Sequence, residues 1–136
     1  MAGDHPQLKV LTPAWCAVVL EETARLPLLP GATGDIEFAV RYPPGVTTSV
    51  TVRLSEGQAA DVFLGPSPRP HLRMEYELED FAAYLQEGND AVHGAYMRGH
   101  MRTTGDLDTV IALAPLLDSD EYAAALRRVH DETDFG

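Results

Sequence analysis

The chain has 136 residues, of which 10 are lysine or arginine and 21 are aspartate or glutamate, so its formal net charge is −11. This negative charge argues against nucleic acid or an anionic membrane as the main partner, because both attract basic patches. The length is typical of one domain with one core, here residues 1–136. We find neither a secretory signal nor an apolar run of about 18 residues, and we therefore expect a cytoplasmic protein.

The chain starts with an extended lead-in over residues 1–10, after which the pattern predicts a first helix. Thr12 supplies a hydroxyl N-cap, and Pro13 occupies the first helical position, where its missing N–H is harmless. The helix is expected to run to about Arg25, before a loop rich in proline and glycine. Cys16 is the single cysteine, so no internal disulfide is possible, and we expect a small buried thiol.

Four segments with alternating apolar and polar residues follow, and this alternation predicts half-buried antiparallel strands. They cover residues 36–42, 47–54, 59–64 and 71–77. One face of the sheet is then apolar. The other face is expected to be solvated and to carry charges of both signs, and its residues on these strands and on the later fifth strand are Glu37, Arg41, Thr51, Arg53, Arg73, Glu75, His100 and Arg102.

The next stretch predicts helices that are separated by glycines. A helix starting at Leu78 has apolar residues at i, i+3, i+4 and i+7, and Gly88 is placed to end it in the left-handed conformation. Asp90 is placed to cap a short second helix. Gly99 then releases the chain into a fifth strand over residues 100–104.

Two further helices complete the pattern. Asp106 is placed to cap the first of them, and Pro115 should kink or end it. Asp118 and Glu121 have the spacing of a capping box and are expected to start the last helix, over about 119–130. Residues 131–136 form a polar tail.

Together these elements predict an α+β fold, in which a five-stranded, mainly antiparallel sheet is covered on one face by about four to five helices. The later helices offer more apolar surface than one sheet face needs, and the large side chains include flexible ones such as Met74 and Met97. Such side chains adapt to variable apolar ligands. An apolar chamber between sheet and helices is one interpretation of this pattern, and an ordinary packed core is the other.

A series of short motifs also occurs in a characteristic order along the chain. It consists of the opening LTPAW, the alternating strand from Leu72, the acidic-aromatic pair Asp80-Phe81, Gly88, Ala95 with Gly99, the strand His100-Met101-Arg102 and the turn Gly105-Asp106. In order and spacing these motifs resemble the sterol carrier protein type two family of lipid-carrier domains.

The resemblance implies a twisted five-stranded sheet with helices on one face and an apolar tunnel between the layers. Members of that family bind fatty acyl chains, sterols or related apolar molecules without a cofactor. We therefore expect a carrier of an apolar small molecule (fatty acyl, isoprenoid or polyketide-like), with no cofactor and no metal. The expected ligand-binding residues are Trp15, Phe38, Val52, Met74, Phe81, Leu85, Tyr96, Met101, Thr103, Ile111 and Leu117.

Among the departures from the family pattern, two polar residues keep a second interpretation open. Thr103 stands where an aliphatic residue is usual, and His93 lies in a tunnel-side segment where amides or apolar residues are usual. A pocket enzyme of the isomerase or cyclase type, acting on a hydrophobic metabolite, could use His93, Tyr96 or Tyr84 as its general acid or base.

A third interpretation is a structural or partner-binding module. It would have a filled core and an exposed apolar patch near Leu113, Leu116 and Leu117. Burial of such a patch between two copies would also give a homodimer.

Overall fold

The computed structural model describes residues 7–42, 45–88, 101–105 and 107–135. Its elements in chain order are β1 (Leu8–Lys9), α1 (Pro13–Thr23), β2 (Gly34–Tyr42), β3 (Val46–Ser55), β4 (Gln58–Leu64), β5 (Leu72–Glu77), α2 (Leu78–Glu87), β6 (Met101–Gly105), α3 (Leu107–Leu117), α4 (Asp120–Asp131) and β7 (Thr133–Asp134). The predicted α+β class is confirmed, with four helices in the described part of the chain.

The main sheet has the strand order β4-β3-β2-β5-β6. Three of its neighbouring pairs are antiparallel, but β2 and β5 run parallel, so the sheet is mixed rather than purely antiparallel. Alternation along a strand shows which side chains share a face and leaves the strand's partner open. The chain leaves β4 at one edge, crosses two strands and starts β5 at Leu72, level with Val62 of β4. It does not reverse its direction in this crossing, and β5 therefore runs parallel to β2.

The crossing connection buries part of the outer sheet face, which is the face without helices. The connection over residues 65–71 lies on it, where the Ser67 amide donates to Glu37 Oε1 at 3.1 Å and the Ser67 hydroxyl donates to Asp35 Oδ2 at 2.7 Å. The Thr51 hydroxyl likewise donates to the Gly65 carbonyl at 2.9 Å. Asp35, Glu37 and Thr51 are therefore buried. The expectation of a solvated face was wrong here, because a polar strand face can also be buried under a hydrogen-bonded loop.

The helices begin and end close to where local signals place them. The Thr12 hydroxyl accepts from the Trp15 amide at the start of α1, and Gly88 has a φ of 69° at the end of α2. The last helix is capped by Ser119, whose hydroxyl accepts from the Tyr122 amide, rather than by the predicted Asp118. Helix α3 continues two residues beyond Pro115. The predicted short helix at Asp90 lies outside the described residues.

The two ends of the described chain meet in a second, two-stranded sheet. Leu8 pairs with Thr133 and Lys9 with Asp134, in parallel. The Leu8 amide donates to the Glu132 carbonyl at 2.8 Å. Segments of two residues are too short for a periodic pattern, so the sequence predicted an extended lead-in and a polar tail without pairing them.

The core lies between the inner face of the sheet and the helices. Helix α1 packs mainly on β4, whereas α2 packs mainly on α4. Leu113 and Leu116 of α3 are buried and belong to this core, and Leu117 is half-buried against it. The exposed patch that the module interpretation requires is therefore absent at these three residues.

Candidate ligand-binding cavity

An apolar cavity of about 30 Å³ lies between the sheet and the helices. None of its lining side chains carries a charge. They are Trp15, Val19 and Thr23 of α1; Ile36 and Phe38 of β2; Val50, Val52 and Leu54 of β3; Phe81, Tyr84 and Leu85 of α2; and Tyr122, Leu126 and Val129 of α4.

The strand side of the cavity follows from alternation and register together. Ile36 pairs with Val52 and Phe38 pairs with Val50 across the antiparallel β2–β3 ladder. Side chains that are paired in this way stand on the same face of a sheet. Four β-branched or aromatic residues therefore form one continuous apolar surface.

The helix side is built around Phe81. Its ring centroid lies 6.1 Å from that of Trp15, 6.0 Å from that of Phe38 and 5.9 Å from that of Tyr76. These separations are typical of edge-to-face and tilted aromatic pairs, which add to the stabilisation from area burial. Phe81 thus connects α1, α2 and the sheet at one end of the cavity.

Two tyrosines of this apolar wall carry hydroxyl groups. The Tyr84 and Tyr122 hydroxyl oxygens are 2.9 Å apart, and both side chains are buried. Burial raises the pKa of Tyr122 to about 12, and it also raises the pKa of Tyr84 well above the ordinary value for a phenol. Both groups are therefore protonated and neutral at neutral pH.

The other polar atoms of the wall have partners within the protein. Trp15 Nε1 donates to the Thr133 hydroxyl at 2.9 Å, and this hydroxyl donates to the Val129 carbonyl. The Thr23 hydroxyl donates to the Val19 carbonyl at 2.6 Å. The short terminal strand β7 thus holds the indole that lines the cavity.

Five of the eleven residues that the sequence analysis named as ligand contacts line this cavity, namely Trp15, Phe38, Val52, Phe81 and Leu85. Met74 is buried in the core beside it, and Leu117 is half-buried against the core. Thr103 and Ile111 are exposed, and the Ile111 side chain is 62 % exposed. Tyr96, His93 and the Met101 side chain lie outside the described residues. Contact of any of these residues with a ligand stays a prediction.

The eleven predicted ligand contacts leave out nine of the lining residues, of which Tyr84 was named only as a possible acid-base group. The nine are Val19, Thr23, Ile36, Val50, Leu54, Tyr84, Tyr122, Leu126 and Val129. For Ile36, Val50 and Leu54 the signal was present, because they share a predicted apolar face with Phe38 or Val52. No sequence pattern connects Tyr84 with Tyr122, which are 38 positions apart and meet through helix packing.

Cys16 is buried, and burial, with a smaller contribution from Asp61, raises the pKa of its thiol to about 11. Within the described ranges, no group of three or more histidine, cysteine, aspartate or glutamate side chains converges as a metal site would require. No helix in the same ranges is long and apolar enough to cross a bilayer.

Comparison with known proteins identifies the architecture. No protein-family model and no curated protein sequence matches the chain. A crystal structure of sterol carrier protein 2 is similar, with 20% identity, a TM-score of 0.63 and coverage of 93% of this chain and 100% of that one.

Two further solved structures are similar over most of their length. One is the solution structure of a conserved hypothetical protein of Thermus thermophilus, described as possibly a sterol carrier protein (18% identity, TM-score 0.61, coverage of 91% and 92%). The other is a ubiquinone synthesis protein described as UbiJ-SCP2 (16% identity, TM-score 0.52, coverage of 90% and 93%). The chain therefore has the sterol carrier protein 2-like fold.

Proposed function

We propose that this protein binds an apolar small molecule between its sheet and its helices and carries it. The observation that supports this proposal is the cavity itself, whose lining contains no charged side chain. Apolar walls with few polar groups are what small-molecule sites generally present. The cavity lies in a fold that the similar proteins named as sterol carriers also have.

The size of the cavity defines how a ligand has to enter. A space of about 30 Å³ is far below the roughly 300–1,000 Å³ of ordinary ligand pockets. Binding of a long chain therefore requires the two layers to separate. Helix α2 packs mainly on α4, and α4 also packs on α1, where Arg128 Nε donates to Glu22 Oε2, so this separation involves all three helices of the cavity wall.

The same chemistry makes the site permissive. Apolar contacts are not directional, and each CH₂ group taken out of water contributes about 0.8 kcal/mol. Affinity should therefore depend on chain length more than on shape. We propose fatty acyl, isoprenoid or polyketide-like molecules as the candidate ligands, in keeping with the resemblance found in the sequence.

The enzyme interpretation named His93, Tyr96 and Tyr84 as acid-base groups, and of these the structure describes Tyr84. Its raised pKa makes proton transfer near neutral pH inefficient, because general acids and bases act best when their pKa lies near the working pH. A carrier needs no such group.

Trp15 provides the test, because it is the single tryptophan and lines the cavity. We expect delipidated protein to bind a fluorescent fatty acid, with energy transfer from Trp15, and unlabelled chains to displace this probe. The dissociation constant should fall about fourfold for each added CH₂ group. Solvent extraction of the protein as purified, followed by mass spectrometry, should also release an apolar molecule. No extracted molecule and no probe binding would overturn the proposal.

A further inference from the structure

The pair formed by the Tyr84 and Tyr122 hydroxyls is the feature of the cavity that an ordinary apolar core would not need. Tyr84 is on α2 and Tyr122 is on α4, and their oxygens are 2.9 Å apart. The two side chains are 1 % and 6 % exposed. A phenylalanine pair would fill the same space without the cost of burying two polar groups.

The hydroxyl pair has one proton that the hydrogen bond between its two oxygens does not use. Each hydroxyl has one proton and two lone pairs. The bond between the two oxygens uses one proton, and neither hydroxyl has a second hydrogen bond within the described parts of the chain. The indole of Trp15 and the hydroxyl of Thr23, in contrast, are already bonded to protein acceptors.

The residues around the pair determine whether the ligand oxygen that accepts this hydrogen bond can be charged. The lining residues are all uncharged, so no cation faces the pair from the cavity wall. A carboxylate placed there would lose its hydration and gain neutral donors only, which is unfavourable in an apolar site. An uncharged oxygen such as an ester, ketone or alcohol oxygen loses much less and accepts the same hydrogen bond.

We propose that Tyr84 and Tyr122 form the polar anchor of the ligand site and select long apolar molecules that carry one uncharged oxygen acceptor. This inference rests on the proposed carrier function and adds a ligand class to it. One hydroxyl donates to the other, and the second donates to the ligand oxygen. The raised pKa of both phenols keeps both protons in place at neutral pH. Both tyrosines belong to helices of the cavity wall, so the anchor stays on that wall when the two layers separate.

The test compares four ligands with one chain length: methyl laurate, lauryl alcohol, laurate and dodecane. We expect the protein to bind the ester and the alcohol more tightly than laurate or dodecane at neutral pH, measured through Trp15 emission. The double variant Tyr84→Phe/Tyr122→Phe should lose about 2- to 12-fold in affinity for the ester and keep its affinity for dodecane. Each single variant keeps one hydroxyl and should show a smaller loss.

Tyr76→Phe is the matched control. The Tyr76 ring stacks on that of Tyr84 at 5.6 Å, but its hydroxyl contacts Met74 Sδ at 4.0 Å and it is not among the lining residues. It should keep the ester preference, and thermal unfolding monitors the fold of every variant. If all four ligands bind equally, or the double variant keeps the preference, the anchor is overturned and the carrier function stands. If no ligand binds, both proposals are overturned.

Discussion

Over residues 34–40 of β2 both faces of the strand are buried, but their chemistry is opposite. On the inner face, Ile36, Phe38 and Val52 contact apolar helices across a small cavity. On the outer face, Asp35 and Glu37 lie beneath the crossing connection over residues 65–71. The inner face is held by contacts that have no preferred direction, whereas the outer face is held by hydrogen bonds with defined partners.

On the outer face, each carboxylate oxygen of Asp35 and Glu37 accepts at least one hydrogen bond. Asp35 accepts two hydrogen bonds from Arg53, at 2.9 and 3.1 Å, and a third from the Ser67 hydroxyl. Glu37 accepts from Arg73 Nε at 2.8 Å and from the Ser67 amide. We infer that the outer face fixes the sheet and its crossing connection, and that the inner face can repack around a ligand without disturbing them.

The largest expected effect is on the inner face. Phe81→Ala should lower the free energy of unfolding by about 3–5 kcal/mol, because it removes three aromatic contacts and leaves a void. Urea denaturation followed by circular dichroism measures this change. A loss of less than about 1 kcal/mol would contradict the central place of Phe81 in the core.

A smaller effect is expected on the outer face. Asp35→Asn should cost about 1–3 kcal/mol at neutral pH, because Arg53 and Ser67 lose a charged acceptor. Binding of the fluorescent fatty acid should stay unchanged, which distinguishes this face from the inner one. If the variant keeps its fold but binds the fatty acid more weakly, the two faces are coupled.

The Asp35 carboxylate also makes the stability of the fold depend on pH in the acid range. The side-chain hydrogen bond from Arg53 is the main cause that lowers the native pKa of Asp35 below its usual 3.8. The stability it contributes is therefore present above pH 3.8 and is lost as the pH falls through the native pKa. The Asp35→Asn variant should show a shallower loss in that range.

The tyrosine pair predicts the opposite dependence, at alkaline pH. In the unfolded chain a phenol ionises near pH 10, whereas burial raises the native pKa of Tyr122 to about 12. The native state thus holds protons that the unfolded state releases, so stability should fall as the pH rises from 10 towards 12. Tyr122→Phe should flatten this decline in melting temperature. An equally steep decline in the variant would contradict the assignment.

The smallest effect is expected at Ile111, whose side chain is 62 % exposed. Ile111→Ala should change the free energy of unfolding by no more than about 0.5 kcal/mol and leave ligand binding intact. Leu113→Ala is the contrasting variant on the same helix, because that side chain is fully buried and its truncation should cost about 2–5 kcal/mol. Reduced ligand affinity in Ile111→Ala would support its original assignment as a ligand contact.

Local features of the fold followed from the sequence. Alternation placed Phe38, Val52 and Met74 on the inner face, and it did so because successive side chains of a strand point to opposite faces. The Thr12 cap and Gly88 marked helix ends, because capping hydrogen bonds and left-handed residues have strong residue preferences. The resemblance to sterol carrier domains, carried by motifs across the chain, predicted the architecture that the similar structures show.

Features that depend on the path of the chain were decided by the tertiary structure alone. The parallel pairing of β2 with β5 required the connection over residues 65–71 to cross the outer face, and this crossing buried Asp35 and Glu37. The meeting of Tyr84 with Tyr122 required α2 to pack on α4. A local pattern determines which way a side chain points, whereas its partners depend on which distant segments the fold brings beside it.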